Sequence, residues 1–216
     1  MNGDTKELEE LKTEFINYEK RHGTREGIED IILNNRRTHY ENLLKDDCYA
    51  YDTWFDLIRL EESEVISFRA SSASFSLIAK AITRCREVYE RAVENIPPIQ
   101  EKRYWRRYIY LWLSYAIFEE LHGGEVPLAS IQAEQEEEEE REGRVVNKNK
   151  VVNGIKRARE VYQECLKVLP HKSFTFGKIW LEAAYLEVRD KDLAAARKLL
   201  GRAIGRLHSL PSCVTQ

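Results

Sequence analysis

Apolar residues recur along this chain with a period near 3.6, and the runs are separated by short breaks. Leu8, Leu11, Phe15 and Tyr18 fall at i, i+3, i+7 and i+10, which predicts a helix from Lys6 to Arg21. His22-Gly23-Thr24 stops it, with Gly23 suited to the position just past a helix end. A second helix is predicted over Arg25 to Lys45 on Ile28, Ile31, Ile32, Tyr40, Leu43 and Leu44. A third covers Tyr51 to Glu62 on Trp54, Phe55, Leu57, Ile58 and Leu60. Residues 63–82 are Ser-rich with scattered apolar positions and read as a loop or weak helix. The next helix runs from Thr83 to Ile96 and ends at Pro97-Pro98, since neither proline can continue it. Another spans Gln100 to Leu121 and stops at Gly123-Gly124. Residues 122–153 are of low complexity and read as an insert. Helices resume at Gly154 to Leu169, closed by Pro170, then Thr175 to Arg189 and Leu193 to Ile204. The tail, 206–216, has no periodicity and reads as disordered.

Helices in such alternation call for a repeat test, and Trp supplies the register. Trp54, Trp112 and Trp180 each have a Glu seven residues on, at Glu61, Glu119 and Glu187. An apolar residue precedes each Glu: Leu60, Phe118 and Leu186. The first helix keeps only the end of this pattern, Tyr18-Glu19, and has Lys12 where Trp is expected. These are the A helices. The helices between them share R-x-x-Y, at Arg37/Tyr40, Arg86/Tyr89 and Arg159/Tyr162. The last keeps Arg197 and puts Leu200 at the Tyr position. These are the B helices. From A reference to B Arg the spacing is 25, 32, 47 and 17 residues, and from B Arg to the next Trp it is 17, 26 and 21. Constant ends with variable connections are what a stack of helix pairs tolerates. About four pairs result, 6–45, 51–96, 100–169 and 175–204, with 63–82 and 122–153 as irregular inserts in an array over 6–205. No single pair can cover its own apolar face. Trp and Tyr at fixed positions therefore serve stacking, each burying roughly 150–250 Å². The Arg and Glu positions are expected to pair between helices as partly exposed contacts of about 0–1 kcal/mol, setting register.

Composition narrows the class. In 216 residues the apolar share is 43% and the charged share 33%, with only 10 Gly and 5 Pro, which favours helix over a β-rich fold. A net charge of −3 gives no global pull towards nucleic acid or acidic membranes. Cys48, Cys85, Cys165 and Cys213 lie far apart, so no short C-x2-4-C metal hook exists and the thiols are expected to be reduced. The polar N-terminus does not resemble a signal peptide, and no apolar run approaches the roughly 20 residues needed to span a bilayer. No phosphate loop, dinucleotide fingerprint, nucleophile elbow or H-x3-H pair occurs. The expectation is a non-enzymatic chain with no cofactor, no metal, no membrane contact and no small-molecule substrate.

The R-x-x-Y and Trp-x6-Glu pattern resembles the HAT repeat, the half-a-tetratricopeptide motif of RNA-processing proteins. Longer blocks resemble the Crooked neck family of pre-mRNA splicing factors. They are Arg25 to Ile32, Tyr51 to Asp56, Arg86 to Ala92, Ile96 to Glu120, Leu169 to Phe176 and Ala195 to Lys198. They stand in family order over most of 6–205. The resemblance implies an all-α fold, an α-α superhelix of HAT- or TPR-like antiparallel helix pairs. It implies a nuclear scaffold of the spliceosome, working by protein-protein contacts within the nineteen complex, with no enzymatic activity. The family array is much longer, so the chain is expected to cover a part of it and to expose apolar surface on its last helix pair.

Two stretches invite a sharper reading. Lys102, Arg103, Arg106 and Arg107 alternate with aromatics and suit stacking on nucleic-acid bases. Against that, Tyr104, Tyr108, Leu111, Tyr115 and Phe118 form one stripe, and Trp105, Ile109, Trp112 and Ala116 form a second beside it. Two stripes make a helix buried on both flanks, so the aromatics read as core. For the four basic residues a solvated face, a protein contact and an RNA contact stay open, with RNA a secondary partner. The run Glu134 to Glu142, seven Glu in nine residues, reads as a solvated insert before it reads as a dock for a basic partner. His171 reads as a structural loop residue. The alternatives to a spliceosomal scaffold are a direct RNA-binding module and a HAT scaffold of another RNA-processing complex, such as 3′-end cleavage.

Overall fold

The computed structural model describes residues 10–124, apart from 12, 15, 19 and 20, and residues 154–208. The acidic run, nearly all of the 122–153 insert, and the tail beyond His208 lie outside the described residues, while residues 206–208, read as the start of a disordered tail, are helical and carry the last helix four residues past Ile204. So does the start of the first predicted helix, although every described position from 10 to 22 is helical. Seven helices follow: α1 (Arg25–Asp46), α2 (Tyr51–Ala70), α3 (Phe75–Glu94), α4 (Lys102–His122), α5 (Gly154–Val168), α6 (Gly177–Arg189) and α7 (Leu193–His208). No strand occurs among the described residues. The fold is all-α, with neighbouring helices packed in antiparallel pairs of the HAT/TPR kind.

The chain divides into two compact units, one up to Leu60 and one from Glu61 onward. In the first, Thr24 caps α1, its hydroxyl accepting from the Gly27 N–H at 3.2 Å. Leu44 of α1 and Trp54, Leu57, Ile58 and Leu60 of α2 are buried. The Trp54 indole donates to the Cys48 carbonyl at 2.9 Å and ties down the turn before α2. The predicted stripe of the first helix is not a buried one at the positions described: Leu11 and Tyr18 are exposed.

Residues 63–82 are helix on both sides of a tight turn, which corrects the loop reading and lengthens both elements. α2 continues to Ala70 and α3 begins at Phe75, eight residues ahead of the predicted start. Serine does the punctuation. Ser72 sits at φ 53° with its N–H bonded to Arg69 O, and the Ala73 N–H reaches back to Phe68 O at 2.9 Å. This is a Schellman closure made without glycine. Ser74 then caps α3, its hydroxyl accepting from Leu77 N–H. The turn from α6 to α7 repeats the device. Lys191 is at φ 65°, Lys191 N–H bonds Val188 O, Asp192 N–H bonds Glu187 O, and the Asp192 carboxylate accepts from Ala195 N–H.

The core of the second unit is built on α4. Trp105, Tyr108, Ile109, Leu111, Trp112, Leu113, Tyr115, Ala116 and Phe118 are all buried, as the two stripes require. Tyr104 is the exception, at 42% exposed. Contacts between α3 and α4 run antiparallel, from Arg86–Glu119 through Glu90–Tyr115 to Val93–Tyr108. α3 therefore ends before it reaches Tyr104. α5 packs closely along the other side of α4, beginning at a glycine. A Cβ on Gly154 would stand 2.7 Å from Glu120 O and 2.8 Å from Glu119 O, so a larger residue there would push the two helices apart. α4 and α6 lie parallel, one repeat apart. Arg189 grips Glu120 through two bonds of 2.6 Å, the Lys178 ammonium lies 4.7 Å from the Tyr110 ring centroid, and Phe174 meets the edge of Trp105.

Candidate protein-interaction surface

The repeat positions are the framework that holds the surface. Trp54, Glu61, Tyr89, Trp112, Glu119, Tyr162, Trp180 and Glu187 are buried. In two successive repeats the Arg of the B helix grips the Glu of the following A helix, whereas Arg37 of α1 bonds Asn34 on its own helix at 3.0 Å. Arg86 Nε donates to Glu119 Oε1 at 2.5 Å and Nη2 to Oε2 at 3.1 Å. Arg159 makes the same fork on Glu187 at 2.7 and 2.8 Å and adds Asp190 Oδ2 at 2.5 Å. The first pair is buried on both sides, 9% and 1% exposed, which corrects the expectation of a partly exposed contact. The second keeps its arginine about a third exposed. Glu61, at the same register in α2, lies 3.9 Å from Arg84, which also pairs with Glu64 at 2.8 Å. Arg197, the last of the series, is exposed on α7 beside Leu193, Leu200 and Ile204.

Tyrosine completes the joints. Tyr89 donates to Glu62 at 2.7 Å, stacks on Tyr115 with ring centroids 5.1 Å apart, and packs on Phe118. Burial, then the Glu62 charge, holds its hydroxyl well above the usual phenol range. Tyr108 donates to Val93 O at 2.7 Å and is pushed up to about 12 by burial. Trp105 plays a part the Trp alignment misses. Its indole donates to Ile99 O, six residues back, as Trp54 does to Cys48 O. The extension of α4 past Pro98 thus supplies its own loop anchor, while Trp112 keeps the register to Glu119.

In the loop before α6, His171 is part of a small network. Its Nε2 faces Leu166 O at 2.9 Å, so that nitrogen carries the hydrogen, and Nδ1 lies 3.0 Å from the Thr175 hydroxyl. Thr175 in turn accepts from the Trp180 indole at 3.1 Å. Burial holds the imidazole below its ordinary pKa, so it is neutral. Cys85 and Cys165 are buried, and burial pushes both thiols far above the usual range. Neither is set up as a nucleophile. No group of three or more potential metal ligands occurs among the described residues. No helix there is long and apolar enough to cross a membrane.

What remains for a partner is the outer surface. Lys102, Arg103, Arg106 and Arg107 are all exposed at the start of α4, with Tyr104 among them. Arg103 pairs with Glu101 at 2.8 Å and covers Tyr104 at 4.7 Å, and Lys102 lies over the Phe176 ring at 5.6 Å. Two clefts open between successive B helices. The one between α3 and α5, floored by α4, has a volume of about 430 Å³. The one between α5 and α7, floored by α6, has about 940 Å³.

No protein-family model matches the chain. Individual proteins do. It is 43% identical over 195 residues to the pre-mRNA-splicing factor CLF1 of Pyricularia oryzae, covering 90% of this chain and 22% of that protein. It is 40% identical over 196 residues to the pre-mRNA-splicing factor cwf4 of Schizosaccharomyces pombe, covering 91% and 23%. To Crooked neck-like protein 1 of Mus musculus it is 42% identical over 200 residues, covering 93% and 23%. The chain spans less than a quarter of the length of these curated relatives.

Proposed function

The chain belongs to the Crooked neck family of splicing factors over the stretch it shares with them, and from that premise we propose that it acts in pre-mRNA splicing as a non-enzymatic scaffold. It works in the nucleus, joining spliceosomal proteins of the nineteen complex by protein-protein contacts. One observation carries the reading. At 40–43% identity over about nine tenths of the chain, the side chains that could do chemistry are spent on joints between helices. Arg86, Glu119, Arg159, Glu187 and Tyr89 are all bonded to a neighbouring helix. That leaves a rigid framework whose charged clefts and basic edge face outward. Affinity capture on the immobilised chain from nuclear extract tests the proposal. Spliceosomal proteins should be retained after nuclease treatment, and their absence would sink it.

A second reading has one observation in its favour, the exposure of Tyr104 among Arg103, Arg106 and Arg107. There the chain contacts RNA directly. Binding would then weaken steeply with salt, because phosphate contacts release counterions. A gel shift that is absent at low salt, or that survives Arg106→Ala with Arg107→Ala, removes this reading.

A further inference from the structure

The two clefts are the same place in successive repeats, and their charge is reversed. Aligning Arg86, Arg159 and Arg197 sets the register of the walls. The first cleft is walled by Glu90 and Glu94 of α3 and by Glu160 and Glu164 of α5. The corresponding wall positions of the second are Gln163 and Lys167 of α5 and Lys198 and Arg202 of α7. Four carboxylates become one amide and three cations. The acids that do enter the second cleft are already engaged, Glu187 by Arg159 and Asp192 by the first turn of α7. Lys167 pairs with Glu164 at 2.5 Å on its own helix, with both side chains more than half exposed. Lys198 and Arg202 are exposed and meet no acid among the described residues.

The floors differ as well. In the first cleft Tyr115 rises from α4, stacks on Tyr89 and donates to Glu90 at 3.1 Å. Its counterpart on α6 is Ala183, and the counterpart of Tyr89 is Tyr162, both lining the second cleft. The aromatic that fills the first cleft is therefore missing from the second, which is about twice as large. Leu186 on the floor, with Leu166 and Leu199 at the base of the walls, makes the bottom of the cleft apolar.

We propose that the cleft between α5 and α7 binds an acidic peptide segment of a partner protein. Its carboxylates meet Lys198, Arg202 and Lys167. An aromatic or large aliphatic side chain drops over Ala183 beside Tyr162, where Tyr115 sits in the preceding repeat. A peptide fits better than RNA, because the ring left open over Ala183 is that of Tyr162, which seats one side chain and not a run of stacked bases. Trp180 is 5% exposed and packs at a tilt against His171. The inference deepens the scaffold reading and rests on it for the kind of partner.

Peptide-display selection on the purified full chain, with random 16-residue peptides as the probe, tests it without any splicing component. Its failure would leave the splicing assignment standing, and failure of nuclear capture would leave the cleft's binding standing. Selected peptides should be rich in Asp and Glu around one large apolar residue, and should bind more weakly as salt rises. Lys198→Glu with Arg202→Glu should weaken them about tenfold or more, through lost charge complementarity. Ala183→Tyr should block them by refilling the floor, with an unchanged circular dichroism spectrum showing that the fold persists. Lys198→Gln with Arg202→Gln gives a milder check if the reversed charges disturb α7. Selected peptides without an acidic excess, binding unaffected by these variants, or RNA competing at the cleft would each overturn the proposal.

Discussion

Glu119 is 1% exposed and has its partner in Arg86, on a different helix. Two ions taken out of water depend on each other, and removing one strands the other. Glu119→Gln should therefore lower the unfolding free energy by about 3–5 kcal/mol in urea titrations, while Arg86→Met with Glu119→Leu should recover most of that loss. Glu187→Gln should cost less, because Arg159 is about a third exposed and keeps Asp190. His171 gives a second test at this scale. Its pKa is lowered in the folded chain by burial, with Arg206 opposing the charged form and the Leu166 carbonyl favouring it. The unfolded chain takes up the proton first. Stability from this residue is complete above the ordinary histidine value of about 6.5 and falls as pH drops below it. Melting temperature should decline from about pH 7 to about pH 5 more in the wild type than in His171→Asn. The positions of Arg86, Glu119, Tyr89 and Trp180 were legible because large aromatics and charged residues recurred at fixed spacing. The burial of the Arg86–Glu119 pair was not, since a repeat pattern gives the partner's register and not its depth. Tyr104 shows the same limit. It fits the buried stripe of α4 but sits beyond the end of α3, so that helix does not cover it and it stays 42% exposed.

At the scale of elements, most helix positions were read from periodicity, and the misreading of residues 63–82 has a local cause. A helix end is usually announced by glycine in the left-handed region. Here Ser72 and Lys191 take that conformation, so residues 63–82 carried no stop signal and their serines looked like loop. A side chain at positive φ costs roughly 1 kcal/mol over glycine. Ser72→Gly and Lys191→Gly should each raise the unfolding free energy by about that amount in urea titrations, and no gain in either would contradict the turn geometry. Trp54, Trp112 and Trp180, which set the alignment, are all buried. The alignment could not reveal that Trp105 takes over the loop-anchoring bond, because that depends on which backbone carbonyl the Pro97-Pro98 segment presents.

For the molecule as a whole, the repeated joint matters more than any single contact. Each joint fixes a B helix on the next A helix, and the clefts between B helices inherit that register while their charges are free to change. Family membership was legible from blocks such as Ile96 to Glu120, and identities of 40–43% bear it out. The cleft chemistry was less legible, because Glu160 and Lys198 become comparable only once their helices are known to flank equivalent floors. The most direct test of the splicing assignment is sedimentation of the tagged chain in splicing-active nuclear extract. The chain should migrate with large complexes that contain spliceosomal proteins, and should stay bound to those proteins after ribonuclease treatment. Migration only at the position of the free chain, before and after ribonuclease, would contradict the account.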